Sequence, residues 1–167
     1  MRPLGKGMST RLASQRTHPE LRIAIASDHA AVDLKAELAV WMRAEGHEVN
    51  DLGPHDAASV DYPDYGYAVA DAIANGTSER GVALCGSGIG ISIAVNRNPA
   101  ARCALVSEPL SAQLSRMHND ANIIAMGARL VGPEMAKACL TAFLSTDFAG
   151  GRHQGRVDKL SHPKVKP

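Results

Sequence analysis

One stretch of this chain limits its possible folds more than any other, because three alternate glycines separate two short apolar runs. The first run is 81–85, the glycines are Gly86, Gly88 and Gly90, and the second run is 89–95. An apolar run that stops at a glycine turn is typical of a buried parallel strand, and the run that follows predicts the first turns of a helix. Backbone N–H groups point outward where a strand, a glycine turn and a helix N-terminus meet, so this stretch predicts a site for an anion.

Cys85 is the last residue of the predicted strand and lies beside those amides. Positive potential from backbone amides favours the reactive thiolate form of a cysteine. A tight turn that packs a buried cysteine would have the same local sequence. Both interpretations of Cys85, reactive and structural, stay open at this point.

Strands and helices are predicted to alternate along the rest of the chain. Apolar runs predict the strands, and apolar residues at helical spacing predict the helices. The predicted strands are 21–26, 47–52, 81–85, 102–106 and 122–126, and the predicted helices are 30–45, 61–74, 89–95, 109–117 and 132–144. This alternation predicts an α/β fold: a doubly wound five-stranded parallel sheet in a three-layer, Rossmann-like sandwich. In such folds, ligands bind beyond the carboxyl ends of the strands.

The length of 167 residues suits a single domain, which we expect to span 21–160. Residues 1–20 are basic, lack the apolar centre of a secretory signal, and predict a disordered extension. Residues 161–167 are expected to form a flexible tail.

Charge and cysteine usage exclude several classes of protein. The formal net charge of +1 gives no electrostatic footprint for a nucleic acid, and no apolar run is long enough to cross a membrane. Cys85, Cys103 and Cys139 are widely spaced and form no CxxC pair, which argues against a disulfide framework or a metal site. Free thiols of this kind indicate the cytoplasm, which is reducing.

Three familiar site motifs do not fit the sequence. A dinucleotide site needs G-x-G-x-x-G after the first strand, where residues 27–31 contain no glycine, and a P-loop needs a Gly-Lys-Ser/Thr that is absent. A serine nucleophile elbow needs a glycine two residues before Ser87, where Cys85 stands. Cys85, His118 and Asn119 together also match a thiol hydrolase, which remains a competing interpretation.

Other polar residues follow predicted strands or helices and are ambiguous singly. Asp28 and His29 follow the first strand, where an aspartate that caps a helix would look the same. Ser107 is expected to cap the fourth helix, with Pro109 in its first turn. The glycine-rich segment after 146 carries Arg152 and Arg156, and fixed cations on a flexible segment suit a phosphate clamp. Arg129 is a third candidate for binding phosphate.

Taken together, five blocks resemble the type B ribose-5-phosphate isomerases, a family that includes the galactose-6-phosphate isomerase subunits. The blocks are SDHA at 27–30, DYPDY at 61–65, CGSGIGIS at 85–92, SEPLSAQLSRMHNDAN at 107–122 and GGRHQGRV at 150–157. The resemblance covers about 21–160 in the right order, and the residues before Leu21 have no counterpart in it.

The resemblance implies an aldose–ketose isomerase that needs no metal or other cofactor and interconverts ribose 5-phosphate and ribulose 5-phosphate through an enediolate. It implies Cys85 as the base and His118 as the acid that opens the furanose ring. The implied substrate-binding residues are Asp28, His29, Gly86, Ser87, Gly88, Ile89, Gly90, Asn119, Arg129, Arg152 and Arg156. In this family the site lies between subunits, so a homodimer or homotetramer with shared active sites is implied.

The sequence departs from the family pattern at two places, of which only the one at 31–32 leaves the substrate open, because it alters packing near the substrate. Ser87 stands where many members have Thr, and Ala31-Val32 replaces the common Gly-Phe. Some relatives use a carboxylate base a few residues later, but 91–94 contains none, so Cys85 has no obvious substitute. A six-carbon substrate, allose 6-phosphate or galactose 6-phosphate, and a non-catalytic sugar-phosphate sensor remain alternatives.

Overall fold

Five parallel strands form one sheet in the order β2-β1-β3-β5-β4. The computed structural model of the protein describes residues 19–164. The strands are β1 (Arg22–Ser27), β2 (Glu48–Asp51), β3 (Arg80–Cys85), β4 (Cys103–Leu105) and β5 (Ile123–Gly127). Each lies within one or two residues of its predicted position, because a buried parallel strand is a short apolar run with polar ends.

The described residues form six α-helices, of which the first five pack on the two faces of the sheet. They are α1 (Val32–Ala44), α2 (Tyr62–Ala74), α3 (Ile89–Val95), α4 (Pro109–Asn119), α5 (Pro133–Ser145) and α6 (Gln154–Ser161). Side chains from α1, α4 and α5 pack on one face, against alternate residues such as Ile25 and Leu84. Those of α2 and α3 pack on the other face, against residues such as Ala26 and Ala83. The predicted three-layer α/β fold is therefore confirmed.

The topology places a crevice at the carboxyl edge of the sheet. From β1 the chain passes first to β2 on one side and then, through α2, to β3 on the other. Parallel sheets bind ligands where the winding reverses in this way, between the carboxyl ends of the two central strands. Asp28 directly follows β1 and Cys85 ends β3, and the neighbouring pair Ser27 and Leu84 is in register. Residues from two distant blocks of sequence thus meet at one point.

Helix ends differ from the predictions in ways that matter for the site. Glu108, not Ser107, caps α4, since its carboxylate accepts hydrogen bonds from the N–H groups of Leu110 (2.6 Å) and Ser111 (2.7 Å). A hydrogen bond from the Ser111 side chain, followed in size by these backbone hydrogen bonds, lowers the pKa of Glu108. The same helix continues to Asn119, two residues beyond its predicted end, so its last turn carries His118 and Asn119.

The glycine-rich segment near the carboxyl terminus is helical, which the sequence did not predict. A short 3₁₀ helix spans Gly151–His153 and leads directly into α6. Val157 is buried and anchors this helix. The predicted extension 1–20 lies outside the described residues except for its last two positions, as do 165–167 of the predicted tail. Within 19–164, no helix is both long and apolar enough to cross a membrane.

Candidate active site

A cavity of about 300 Å³ opens at the carboxyl edge of the sheet, between the ends of β1, β3 and β5. Six residues that the sequence singles out line it together with two that it does not: Asp28, Cys85, Gly86, Ser87, Gly90 and Arg129, with Tyr62 and Leu130. Asp28 also caps the 3₁₀ turn after β1, where its Oδ1 accepts a hydrogen bond from the N–H of Ala30 (2.9 Å). The capping and site interpretations of Asp28 are therefore compatible.

The glycine turn wraps around the thiol of Cys85. Gly88 has a φ of 77°, and a Cβ there would lie 2.7 Å from the main chain of Met126, so only glycine fits this position. In this conformation the Gly88 N–H donates to Cys85 Sγ over 3.0 Å. Cys85 is 4% exposed, and its sulfur accepts this hydrogen bond in the buried end of the cavity.

The amides of the turn divide into two groups. The Gly88 N–H points at sulfur, and the Ile89 N–H donates to Ser87 Oγ over 3.2 Å. Within the described part of the chain, the N–H groups of Gly86, Ser87 and Gly90 donate to no protein acceptor. These three residues line the cavity, so their amides are the donors available to a bound oxyanion.

Arg129 brings a fixed cation to the same cavity. Its N–H donates to the Gly86 carbonyl over 3.0 Å, and the Ala128 N–H donates to the Cys85 carbonyl over 2.9 Å. The guanidinium lies against Gly86, where an added Cβ would come within 3.1 Å of Nη1. The segment after β5 is thus bonded to the glycine turn, and this contact sets the position of the charge.

Tyr62 forms a wall of the cavity that the sequence analysis did not assign. Its ring packs on Gly90, where a Cβ would lie 2.6 Å from Cε2. His29 is exposed rather than in the cavity, and its Nδ1 accepts a hydrogen bond from the Val60 N–H (3.2 Å), which holds the chain that leads to Tyr62. The only sequence signal for Tyr62 was its place in the 61–65 block.

A second group of polar residues forms around the end of α4. The rings of His118 and His153 stack with their centroids 4.4 Å apart and their planes at 16°. Arg152 belongs to the 3₁₀ turn beside them, and Arg156 lies on α6. Burial of the imidazole, followed in size by the charges of His118, Arg152 and Arg156, lowers the pKa of His153. Asn119 lines a separate groove of about 540 Å³ next to this group.

The group around Cys85 and the group around His118 lie at opposite ends of the strands, the first at the carboxyl edge of the sheet and the second at its amino edge. β5 begins directly after α4, and its residue Ile123 is in register with Gly81, whereas Cys85 is in register with Gly127. His118 therefore lies level with the amino end of β3, and Cys85 is about 13 Å further along that strand at 3.3 Å per residue. Within one chain, the structure does not bring Cys85 together with His118.

Comparison with known proteins identifies the chain's relatives. The family model described as Ribose/Galactose Isomerase matches residues 23–160. The chain belongs to the ribose/galactose isomerase family. Its curated relatives include ribose-5-phosphate isomerase B of Escherichia coli (strain K12), 44% identical over 84% of this chain and 94% of that protein. Another is D-erythrulose-4-phosphate isomerase of Pectobacterium atrosepticum, 40% identical over 85% of this chain and 94% of that protein.

Solved structures of this isomerase family agree with the fold. One is the crystal structure of a ribose 5-phosphate isomerase from Thermotoga maritima, whose sequence is 45% identical to this one. The match covers 86% of this chain and 99% of that chain, with a TM-score of 0.84. The protein is therefore a sugar-phosphate isomerase, and the sensor and thiol-hydrolase alternatives are not retained.

Across residues 19–164, no three side chains of His, Cys, Asp or Glu are grouped so that they could hold a metal ion. The cavity instead offers backbone amides, one thiol, the Asp28 carboxylate and the Arg129 guanidinium. These groups suit proton transfer and the binding of oxyanions.

Proposed function

We propose that the protein interconverts ribose 5-phosphate and ribulose 5-phosphate, without a metal ion. One observation carries the proposal: the Cys85 thiol lies in a cavity that also contains three unbonded amides and a cation. A proton next to a carbonyl group is only weakly acidic, so an isomerase needs a base and a means to stabilise the enediolate. This cavity offers both within one turn of chain. The 44% identity to a protein named ribose-5-phosphate isomerase B supports this substrate.

In the proposed reaction, the Cys85 thiolate removes the proton from C2 of the open-chain aldose. The C–H electron pair forms the C1=C2 bond, and O1 takes up negative charge. The amides of Gly86, Ser87 and Gly90 hold the two enediolate oxygens. The thiol returns its proton to C1 while the O2 proton moves to O1, which yields the ketose and restores the thiolate.

A second copy of the chain completes the proposed site. His118 is the acid that opens the furanose ring, and Arg152 and Arg156 bind the phosphate, but all three belong to the group at the opposite edge of the sheet. They reach Cys85 only from a partner. An apolar groove of about 260 Å³ beside the cavity supports such a contact, since it is lined by Ile89, Leu105 and Leu130, which are 51%, 45% and 68% exposed. We therefore propose a homodimer, or a tetramer built from it, with shared active sites.

The substrate is tested by a panel of sugar phosphates after exhaustive treatment with EDTA. We expect kcat/KM to be highest for ribose 5-phosphate, ahead of allose 6-phosphate, galactose 6-phosphate and D-erythrulose 4-phosphate, and to be unchanged by chelation. The four-carbon substrate is included because one relative is named for it. A higher kcat/KM for another sugar would contradict the substrate, and activity that is lost on chelation and restored by a divalent ion would contradict the mechanism.

A further inference from the structure

Asp120 directly follows His118 and Asn119 at the end of α4. Through two arginines, its carboxylate is also connected to the segment that carries Arg152 and Arg156. We infer that Asp120 is a positioning residue for isomerisation, whose carboxylate fixes His118 and the segment with Arg152 and Arg156 as one unit. It touches none of the reacting atoms. The inference rests on the proposed roles of those three residues.

The Asp120 carboxylate binds two arginines, one with each oxygen. Arg116 Nη1 donates to Oδ1 over 2.8 Å, and Arg102 Nη2 donates to Oδ2 over 3.0 Å. Arg102 Nε also donates to the Asp120 carbonyl oxygen over 2.9 Å. The side chain of Arg116 is only 4% exposed, so this charge depends on its carboxylate partner.

The two arginines then reach the two ends of the segment that carries the proposed phosphate-binding groups. Arg116 Nε donates to the carbonyl of Thr146, just after α5, over 3.2 Å. Arg102 Nη1 donates to Oγ of Ser161, the last residue of α6, over 3.3 Å. Arg152 and Arg156 lie between these two anchor points. One carboxylate therefore ties both ends of the segment to the end of α4.

Contacts inside the segment show what the anchoring would control. The Ala149 N–H donates to the Met117 carbonyl over 3.1 Å, and His153 stacks on His118. A shift of the segment would therefore move His118 as well as the arginines. Catalytic groups lose much of their effect when they are displaced by about 1 Å.

The backbone at Asp120 argues against a simple helix cap. Its φ is 45°, and among the described residues it is the one non-glycine residue with positive φ. Glycine adopts this conformation without steric cost and is the common choice where a helix ends. A helix end alone would favour glycine, whereas a residue that must also bind two arginines needs the carboxylate.

The test compares two variants of Asp120 with a core variant outside this network. Asp120→Asn keeps the side-chain shape and tolerates positive φ but removes the charge, and Asp120→Gly removes strain and carboxylate together. Ile124→Val on β5 is the control, because it loosens a fully buried core position without touching the arginines. Steady-state kinetics give kcat and KM for ribose 5-phosphate. A second readout is the rate of deuterium incorporation at C1 of ribulose 5-phosphate in D₂O, divided by the rate of conversion to ribose 5-phosphate.

We expect the Asp120 variants to raise KM and to lower kcat/KM about 10- to 100-fold, because the phosphate-binding arginines and His118 move together. Deuterium incorporation needs Cys85 but no ring closure, so its ratio to conversion should rise, as it should in His118→Ala. Asp120→Asn should keep more activity than Asp120→Gly. Ile124→Val should leave KM and the ratio within about twofold of wild type, since loss of folded protein lowers only the apparent kcat.

The proposal is overturned if both Asp120 variants fold and lower the melting temperature but leave KM and the ratio within about twofold of wild type. If Asp120→Gly does not fold, the result for Asp120→Asn decides in the same way. Failure of the proposed function looks different: His118→Ala would then leave the ratio unchanged, or Arg152→Ala would leave KM unchanged. The KM of the Asp120 variants is therefore compared with that of Arg152→Ala. Their ratio of deuterium incorporation to conversion is compared with that of His118→Ala.

Discussion

At the scale of single residues, the environment separates Cys85 from the other two thiols. Burial raises the pKa of Cys103 to about 12. Burial and, to a smaller extent, the Glu108 carboxylate raise the pKa of Cys139. Both therefore stay protonated at neutral pH. Cys85 is the thiol that lines the cavity and accepts an N–H from the glycine turn.

This contrast predicts different kinetic effects for different substitutions. Cys85→Ala should lower kcat about 10²–10⁴-fold, the usual contribution of a general base, while substrate affinity measured by calorimetry changes little. Arg152→Ala should instead weaken binding by about 1.5–3 kcal/mol, because a charge-assisted contact with the phosphate is lost. Cys103→Ala is the matched control and should keep kcat. A near wild-type kcat for Cys85→Ala would show that another group is the base.

At the scale of elements, local sequence predicted the strands and most helices but not α6. Apolar runs and capping residues are local signals, so they identify β1–β5 and α1–α5 within a few residues. The segment 150–157 contains three glycines, and Val157 is its one buried apolar residue, so it has no helical periodicity to detect. Its helix is held by contacts between distant residues, such as Arg102 with Ser161, which no local pattern shows. The stacked pair of His118 and His153 was missed for the same reason.

That stacked pair predicts how stability depends on pH. Because the pKa of His153 is lowered in the folded state, the unfolded chain binds more protons in the window between that pKa and the unfolded value of about 6.5. Stability should therefore fall as the pH falls below about 6.5. Melting temperatures at pH 7.5 and 5.5 test this, with His153→Phe as a variant that keeps an aromatic face but cannot titrate. An equal drop in the two proteins would contradict the prediction.

At the scale of the whole molecule, the topology explains why half of the site could be located from the sequence and half could not. Asp28, Cys85 and Arg129 lie at the carboxyl ends of three parallel strands, which meet at one edge, so their proximity follows from the fold class. His118 lies in the last turn of α4, and helices between parallel strands end at the opposite edge. Sequence blocks can identify both groups but contain no information on which edge each occupies. The distance between them follows only from the strand register.

The need for a second copy predicts complementation between two impaired variants, assayed at ribose 5-phosphate concentrations well below the KM of Arg152→Ala. When Cys85→Ala and Arg152→Ala proteins are mixed and exchange subunits, each mixed dimer has one intact site, which takes Cys85 from one chain and Arg152 from the other. In an equal mixture about a quarter of all sites are intact, so about a quarter of wild-type activity should return. Cys85→Ala mixed with Arg129→Ala is the matched control, because both residues lie in the same cavity of one chain and no intact site can form. Subunit exchange is verified separately by mass spectrometry of the intact dimers. If exchange occurs and the first mixture stays inactive, each chain builds its own site and the shared-site proposal is wrong.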